Sequence, residues 1–320
     1  MTNKEIYSRT IGFSVRRLLF DILAFVIMAA LAAAGFFIAE KTADKGLIGL
    51  GVGAIIGIIA VIIMLRYVSY TFKAGQIAMM TRAVTTGKLP EDVIGEGKRV
   101  VKERFATVAL FFAATNVIKG IFQQLGRGIM GIGRAVGGDN GESVASAINS
   151  AIQVVVAYLC DCCLGWVFYR REENAAKATC EGAVLFFKHG KTLARNLGRV
   201  FGMGLASLVV IGGVFSGIFY LVASRFPATF DVLAKEMAGF AATSETSVPE
   251  FLTDPSMLML GAAILAGIIL WSIIHGAFVR PFVLTGVLRN YLESGMDDIP
   301  TEESFAMLDS KSSKFAKLHG

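Results

Sequence analysis

The chain has 320 residues, 54% apolar and only 18% charged, with a mean hydropathy of +0.62. A soluble domain carries ~25% charge, so the composition excludes an ordinary soluble domain and points to the membrane. The net charge of +6 would suit nucleic acid, but the placement of the basic residues argues against that partner.

A basic arm, residues 1–17, carries Lys4, Arg9, Arg16 and Arg17 and leads into an apolar run, Leu18–Ala39. The arm, the run and an Ala-Leu-Ala-Ala-Ala stretch at 30–34 imitate a secretory leader. Asp21 interrupts the run and the run is long, so it reads as a retained first helix. The chain holds five further runs: Leu47–Leu65, Phe105–Leu125, Val144–Tyr169, Val200–Val222 and Met257–Val279. About 20 helical residues cross a hydrocarbon core of ~30 Å, and all six runs have close to that length.

Of 31 Lys and Arg, 24 lie in the N-terminal arm, in the gaps 66–104 and 170–199, and in the tail 280–320. That alternation is the positive-inside pattern and puts both termini in the cytoplasm. Basic loops beside anionic lipid explain the net charge without nucleic acid.

Each even-numbered run leaves the membrane at an arginine, Arg66, Arg170 or Arg280, and continues as an amphipathic stretch. Phe72, Ile77, Met80 and Val84 recur in the first; Ala176, Ala183, Phe186 and Phe187 in the second; Val283, Leu284, Val287, Leu288, Tyr291 and Leu292 in the third. Such spacing gives a helix one oily face, which lies in the headgroup layer or packs beneath the bundle. Gly87 and Gly190 serve as stops. Of the external gaps, Glu40–Gly46 reads as a tight turn and Gly126–Ser143 as a glycine-rich loop. The third, Ala223–Ser256, contains an amphipathic stretch, Phe226–Phe240, that caps the outer face.

The expected fold is an all-α integral membrane protein with six transmembrane helices and three cytoplasmic amphipathic helices following helices 2, 4 and 6. It forms a single polytopic domain over 1–320: an arm at 1–17, a membrane region at 18–279, and a cytoplasmic helix and tail at 280–320. The spacing of entry and exit arginines fits a three-fold hairpin repeat of about a hundred residues, a common plan in transport folds. Mitochondrial carriers share that plan, but none of the six prolines heads the Pro-x-acidic-x-x-basic signature of that family.

Polar residues inside the apolar runs are the candidate site, because each is costly in hydrocarbon. Asp161 lies nine residues before Arg170, hence ~13 Å in from that boundary; Lys119 lies ~21 Å in from Phe105. Asn116 is one turn from Lys119, and His275 is a shallow five residues before Arg280. Asp161, Lys119, His275 and Asn116 either line a substrate or ion pathway or, in the bland alternative, serve structure: an Asp161–Lys119 ion pair and a hydrogen-bonded His275.

Cys160, Cys162, Cys163 and Cys180 sit on the reducing side, which disfavours disulfides. Cys160 and Cys163 share a helix face, and Cys180 and His189 could complete four ligands, yet the spacing matches no zinc pattern. Packing is the commoner role for helical cysteine, and no metal or other cofactor is expected. Gly53-x-x-x-Gly57 and Gly213-x-x-x-Gly217 permit close helix contact, within one subunit or in a homo-oligomer. Gly126-x-Gly128-x-x-Gly131 matches a dinucleotide fingerprint by letters only, with no preceding strand. No nucleophile elbow, phosphate loop or metal helix is present, so the chain does not read as an enzyme.

Cys160 and Cys163, then Cys180-Glu-Gly-Ala183, Leu193, Asn196 and Arg199, and later His275-Gly276 through Asp297-Asp298, resemble the choline transporter-like family over about 140 residues. The resemblance implies a solute transporter for choline or a similar amine, with about ten membrane helices where six are read here. Two functions stand as expectations: a polytopic transporter or channel for a small solute, and a non-transporting oligomeric scaffold that organises lipid or partner proteins. Membrane lipids are the expected partners of either.

Overall fold

The computed structural model describes all residues except 44–45, 107–109, 122, 125–140, 244–252, 311 and 320. The glycine-rich loop, with the Gly126–Gly131 fingerprint, falls largely outside the described residues. Every regular element among the described residues is helical. The chain gathers into two compact units, Met1–Gly198 with Pro281–Gly320, and Arg199–Arg280.

In the first unit α1 (Asn3–Ala43) and α2 (Gly46–Val68) form an antiparallel hairpin. Glycine sets its closeness. A Cβ on Gly49 would stand 2.1 Å from the Gly35 carbonyl oxygen, and one on Gly53 would stand 2.2 Å from that of Leu31. Gly53-x-x-x-Gly57 is thus used inside the subunit. The outward faces are apolar and exposed, with Phe25, Phe37, Ile55 and Ile63 all more than half exposed, as lipid-facing helices should be.

The basic arm is not a separate segment; it is the first turns of α1. Ile6, Thr10, Phe13 and Ser14 form one buried helical face, while Lys4, Arg9 and Arg16 stay exposed. That face meets α3 (Ala74–Thr86) and α4 (Val93–Phe105). Gln76 Nε2 donates to the Thr10 carbonyl at 3.3 Å and to Ser14 Oγ at 3.1 Å.

The amphipathic stretches form α3, α7 (Ala175–Lys188) and α12 (Arg280–Met296). Their apolar residues Ile77, Met80, Ala183, Val283 and Leu288 are buried in the protein. They pack together around the end of α6 (Gly141–Tyr169). A Cβ on Gly165 of α6 would meet Leu288 at 2.5 Å, and one on Gly295 of α12 would meet Trp166 and Leu185, both at 2.6 Å. Gly87 ends α3 as expected, at φ +68 with its N–H bonded to the Ala83 carbonyl. Gly190 does not end α7: His189 caps that helix, and Gly190 opens α8 (Gly190–Ser207). The tail helices α13 (Glu302–Asp309) and α14 (Ser313–His319) bury Phe305, Leu308 and Phe315. They pack on Ile121 of α5 (Leu110–Ile121) and on Cys180, Ala183 and Val184 of α7.

The second unit holds the end of α8, α9 (Gly213–Ala223), α10 (Pro227–Thr243) and α11 (Pro255–Ile274). Asp254 caps α11 by accepting from the Ser256 and Met257 amides, with Pro255 in the first turn. A Cβ on Gly267 would stand 2.1 Å from Ser216 Oγ, so α9 and α11 touch closely there. The amphipathic stretch expected to cap the outer face is α10, which buries Ala234 but leaves Val232 and Leu233 exposed.

Among the described residues, four helical stretches are long and apolar enough to cross a membrane: Asn3–Thr42, Gly51–Thr86, Gly198–Ala223 and Pro255–Met296. They correspond to expected spans one, two, five and six. Span three is part of a helix pair, α4 and α5, bent by 78°; counted as one span it makes five. Span four contributes a shorter apolar helix, Gln153–Tyr169. Its last turns, from Cys162 to Phe168, are buried in the protein's own core rather than offered to lipid.

Candidate functional site

Asp161 is the buried charge of α6, 3% exposed. Its carboxylate meets Lys73 Nζ at 2.6 Å. Lys73 closes a π-helical turn, Ser69–Lys73, between α2 and α3. A π turn admits one extra residue and so re-aims the helix beyond it. The Asp161–Lys119 pair weighed from sequence is thus replaced: the cation is Lys73. Lys119 and Asn116 stand on the exposed face of α5.

Two turns further along α6 lies a second polar centre. Glu181 of α7 is 1% exposed and accepts from Trp166 Nε1 at 2.9 Å and from Arg170 Nε and Nη2 at 2.9 and 3.2 Å. Glu181 beside it makes the Arg170 guanidinium hold its proton more tightly than usual, against some opposing desolvation. Arg104, at the end of α4, donates to the carbonyls of Arg170 and Glu173 at 3.1 and 2.7 Å, and more weakly to that of Arg171. It thereby satisfies carbonyls left over where α6 ends.

The cysteine cluster packs. Among the described residues no disulfide joins the four cysteines and no three metal-ligating side chains converge. Cys163 Sγ lies 3.6 Å from the Thr179 carbonyl, and Tyr291 donates its hydroxyl to the Gly182 carbonyl. A Cβ on Gly182 would sit 2.7 Å from Cys163 Sγ and 3.1 Å from the Tyr291 hydroxyl. The Cys-Glu-Gly-Ala stretch therefore supplies a charge for Arg170 and a gap for a thiol.

His275 belongs to the second unit, where it opens a π turn, His275–Val279. Its Nδ1 is 2.9 Å from Ser207 Oγ. Ser207 immediately precedes another π turn, Leu208–Gly212. Ser207 Oγ also lies 2.8 Å from the Gly204 carbonyl and accepts from Trp271 Nε1 at 3.0 Å. A hydroxyl has one proton and two acceptor sites. Given to Gly204, that proton leaves His275 Nδ1 as the donor; given to Nδ1, it makes the histidine the acceptor.

Each within its own unit, the nominated residues have three kinds of surroundings: a buried ion pair, an exposed helix face and a histidine–serine–tryptophan cluster. Sequence reasoning missed Lys73, Glu181, Trp166 and Ser207. The signal for Glu181 was present, since it is a lone acid among small residues on an otherwise buried helix face.

No family model, no curated protein and no solved structure matches the chain.

Proposed function

We propose that the chain is a non-transporting membrane scaffold, with apolar membrane helices and a packed helical layer, that organises lipid or partner proteins. The positive-inside pattern assigns that layer, with both termini, to the cytoplasm. One observation carries the reading: the carboxylate with the best claim to a pathway is buried and bound to Lys73 at 2.6 Å, inside a layer of interlocked helices. Asp161, Glu181, Arg170 and Arg104 all hold one helix to another. Gly213 and Gly217 have open space where a side chain would stand, which leaves that face available for self-association.

The second reading is a small-solute transporter, as the choline transporter-like resemblance implies. The His275–Ser207–Trp271 cluster favours it, because π turns and intramembrane polar groups gather at functional sites. Uptake of choline into liposomes reconstituted with wild type or Asp161→Asn separates the two. The scaffold reading expects neither protein to exceed protein-free liposomes. Uptake by wild type above that level would overturn it, whether or not Asp161→Asn abolishes the uptake.

A further inference from the structure

Helix α4 sorts its charges by face. Arg99 is held within the helix by Glu96 and Glu103, and Glu96 also binds Arg82 of α3. Lys98 and Lys102 stand one turn apart, hence on one face, and both are exposed. Arg16 of α1 is exposed as well. Among the described residues no carboxylate pairs with any of these three cations.

The packing sets these cations against the bilayer boundary. α4 crosses α1 at Gly12 and Phe13: a Cβ on Gly12 would stand 3.0 Å from Ile94 Cδ1, and one on Gly97 would stand 2.6 Å from Phe13 Cζ. Arg16 lies one turn beyond that crossing, on the face of α1 that α4 meets. Lys98 reaches the same way, with Nζ 5.1 Å from the centre of the Phe72 ring. Phe72 packs in turn on Phe20, ring centres 5.5 Å apart, and Phe20 stands at the start of the apolar run Leu18–Ala39. The Lys98 ammonium is therefore at the level where α1 enters hydrocarbon. α5 is bent from α4 by 78°. As α5 runs into the bilayer, α4 lies along its surface with the Lys98–Lys102 face toward the headgroups.

We infer that Arg16, Lys98 and Lys102 bind the headgroup of an anionic membrane phospholipid. Their own chain gives these cations no acid, and the groups that lie at their level are lipid phosphates. The carboxylates of α4 are committed to Arg99 and Arg82, so they leave the lysine face positive. A zwitterionic lipid brings its own cation and gains little there. The site goes beyond the scaffold reading and does not depend on it, since a lipid contact suits a scaffold and a transporter alike. Each Lys or Arg beside an anionic surface contributes about fivefold in binding, so removing both lysines should cost about 25-fold.

The test is native mass spectrometry of the full chain, purified in detergent and titrated with phosphatidylglycerol or phosphatidylcholine of identical acyl chains. Wild type should retain phosphatidylglycerol the better of the two. The double variant Lys98→Gln, Lys102→Gln should lose that preference, and Lys98→Arg, Lys102→Arg should keep it. A control, Lys4→Gln with Lys88→Gln, removes the same charge elsewhere: Lys4 lies ~21 Å before Leu18 along α1, and Lys88 lies past the end of α3. The control should keep the preference too. All four lysines are exposed, so helix content, read by circular dichroism, should match wild type throughout. Equal retention of the two lipids by wild type would overturn the inference. So would undiminished phosphatidylglycerol retention by the glutamine variant at 98 and 102, its loss in the arginine variant, or an equal loss in the control.

Discussion

Gly182 shows how one missing side chain positions a buried polar layer. Cys163 and Tyr291 occupy the space its Cβ would take. Gly182→Ala should gain ~1 kcal/mol of helix propensity but lose ~1–3 kcal/mol to overpacking, so it should lower the unfolding midpoint. In a Cys163→Ala background the same change should be neutral or stabilising. Thermal melts of the three variants in detergent check this, and a Gly182→Ala loss that persists without the thiol would mean that the sulfur is not the obstacle. The neighbouring thiol makes a second case. Burial first, then the nearby Asp309 and Glu181 carboxylates, push Cys180 up to about 12. The thiolate is the reactive form, so iodoacetamide at about pH 8 should leave Cys180 unmodified until the protein unfolds. Rapid labelling of the folded protein at Cys180, read by peptide mass mapping, would contradict its burial.

At the scale of elements, helix closeness depends on where glycine stands. Gly49 and Gly53 touch the backbone of α1, whereas Gly51 has open space around it. Gly49→Ala and Gly53→Ala should therefore force the α1–α2 hairpin apart and lower the melting midpoint. Gly51→Ala should leave it unchanged or raise it. Equal effects at all three positions would mean that the hairpin does not pack through these glycines. A different device ties α7 to the segment after α12: Lys188 Nζ meets Asp298 at 2.7 Å. The hydrogen bond from Lys188, more than any opposing desolvation, holds the Asp298 carboxyl below its ordinary 3.8. A depressed acid stabilises the fold fully above that ordinary value and loses the contribution as pH falls through the folded one. Melts between about pH 6 and about pH 3 should therefore fall further for wild type than for Asp298→Asn. Parallel curves would show that the clasp contributes nothing.

The elements themselves were legible in the sequence because length and period report burial directly. Where they are described, the long apolar runs and the three amphipathic stretches after Arg66, Arg170 and Arg280 are largely helical. What the amphipathic faces meet was not legible. An oily stripe packs equally well against lipid or another helix, and the choice depends on tertiary partners such as Gly165 against Leu288 and Gly295 against Trp166. The packing of the basic arm was not legible for a related reason. Its positive charges dominate the reading, while Ile6, Thr10 and Phe13 form a narrower buried stripe beneath them. Asp161 was legible as a buried charge, but its partner was not. Depth counted along ideal helices suggested Lys119, and the π turn at 69–73 instead presents Lys73.

For the whole molecule, the account rests on polar side chains that join helices rather than face a path. Asp161–Lys73 is the most consequential, because it ties the turn between α2 and α3 to α6. Removing one partner of a buried pair costs ~3–5 kcal/mol, mainly because the other charge is stranded. Here the low end applies, since the Lys73 side chain remains 28% exposed. The decisive measurement is a double-mutant cycle on unfolding free energy in detergent, with Asp161→Asn, Lys73→Met and the two combined. The account predicts that each single change destabilises by ~3 kcal/mol and that the combination recovers a large part of that loss. Additive losses, or single changes that leave stability untouched, would contradict a structural lock and return Asp161 to the candidates for a pathway.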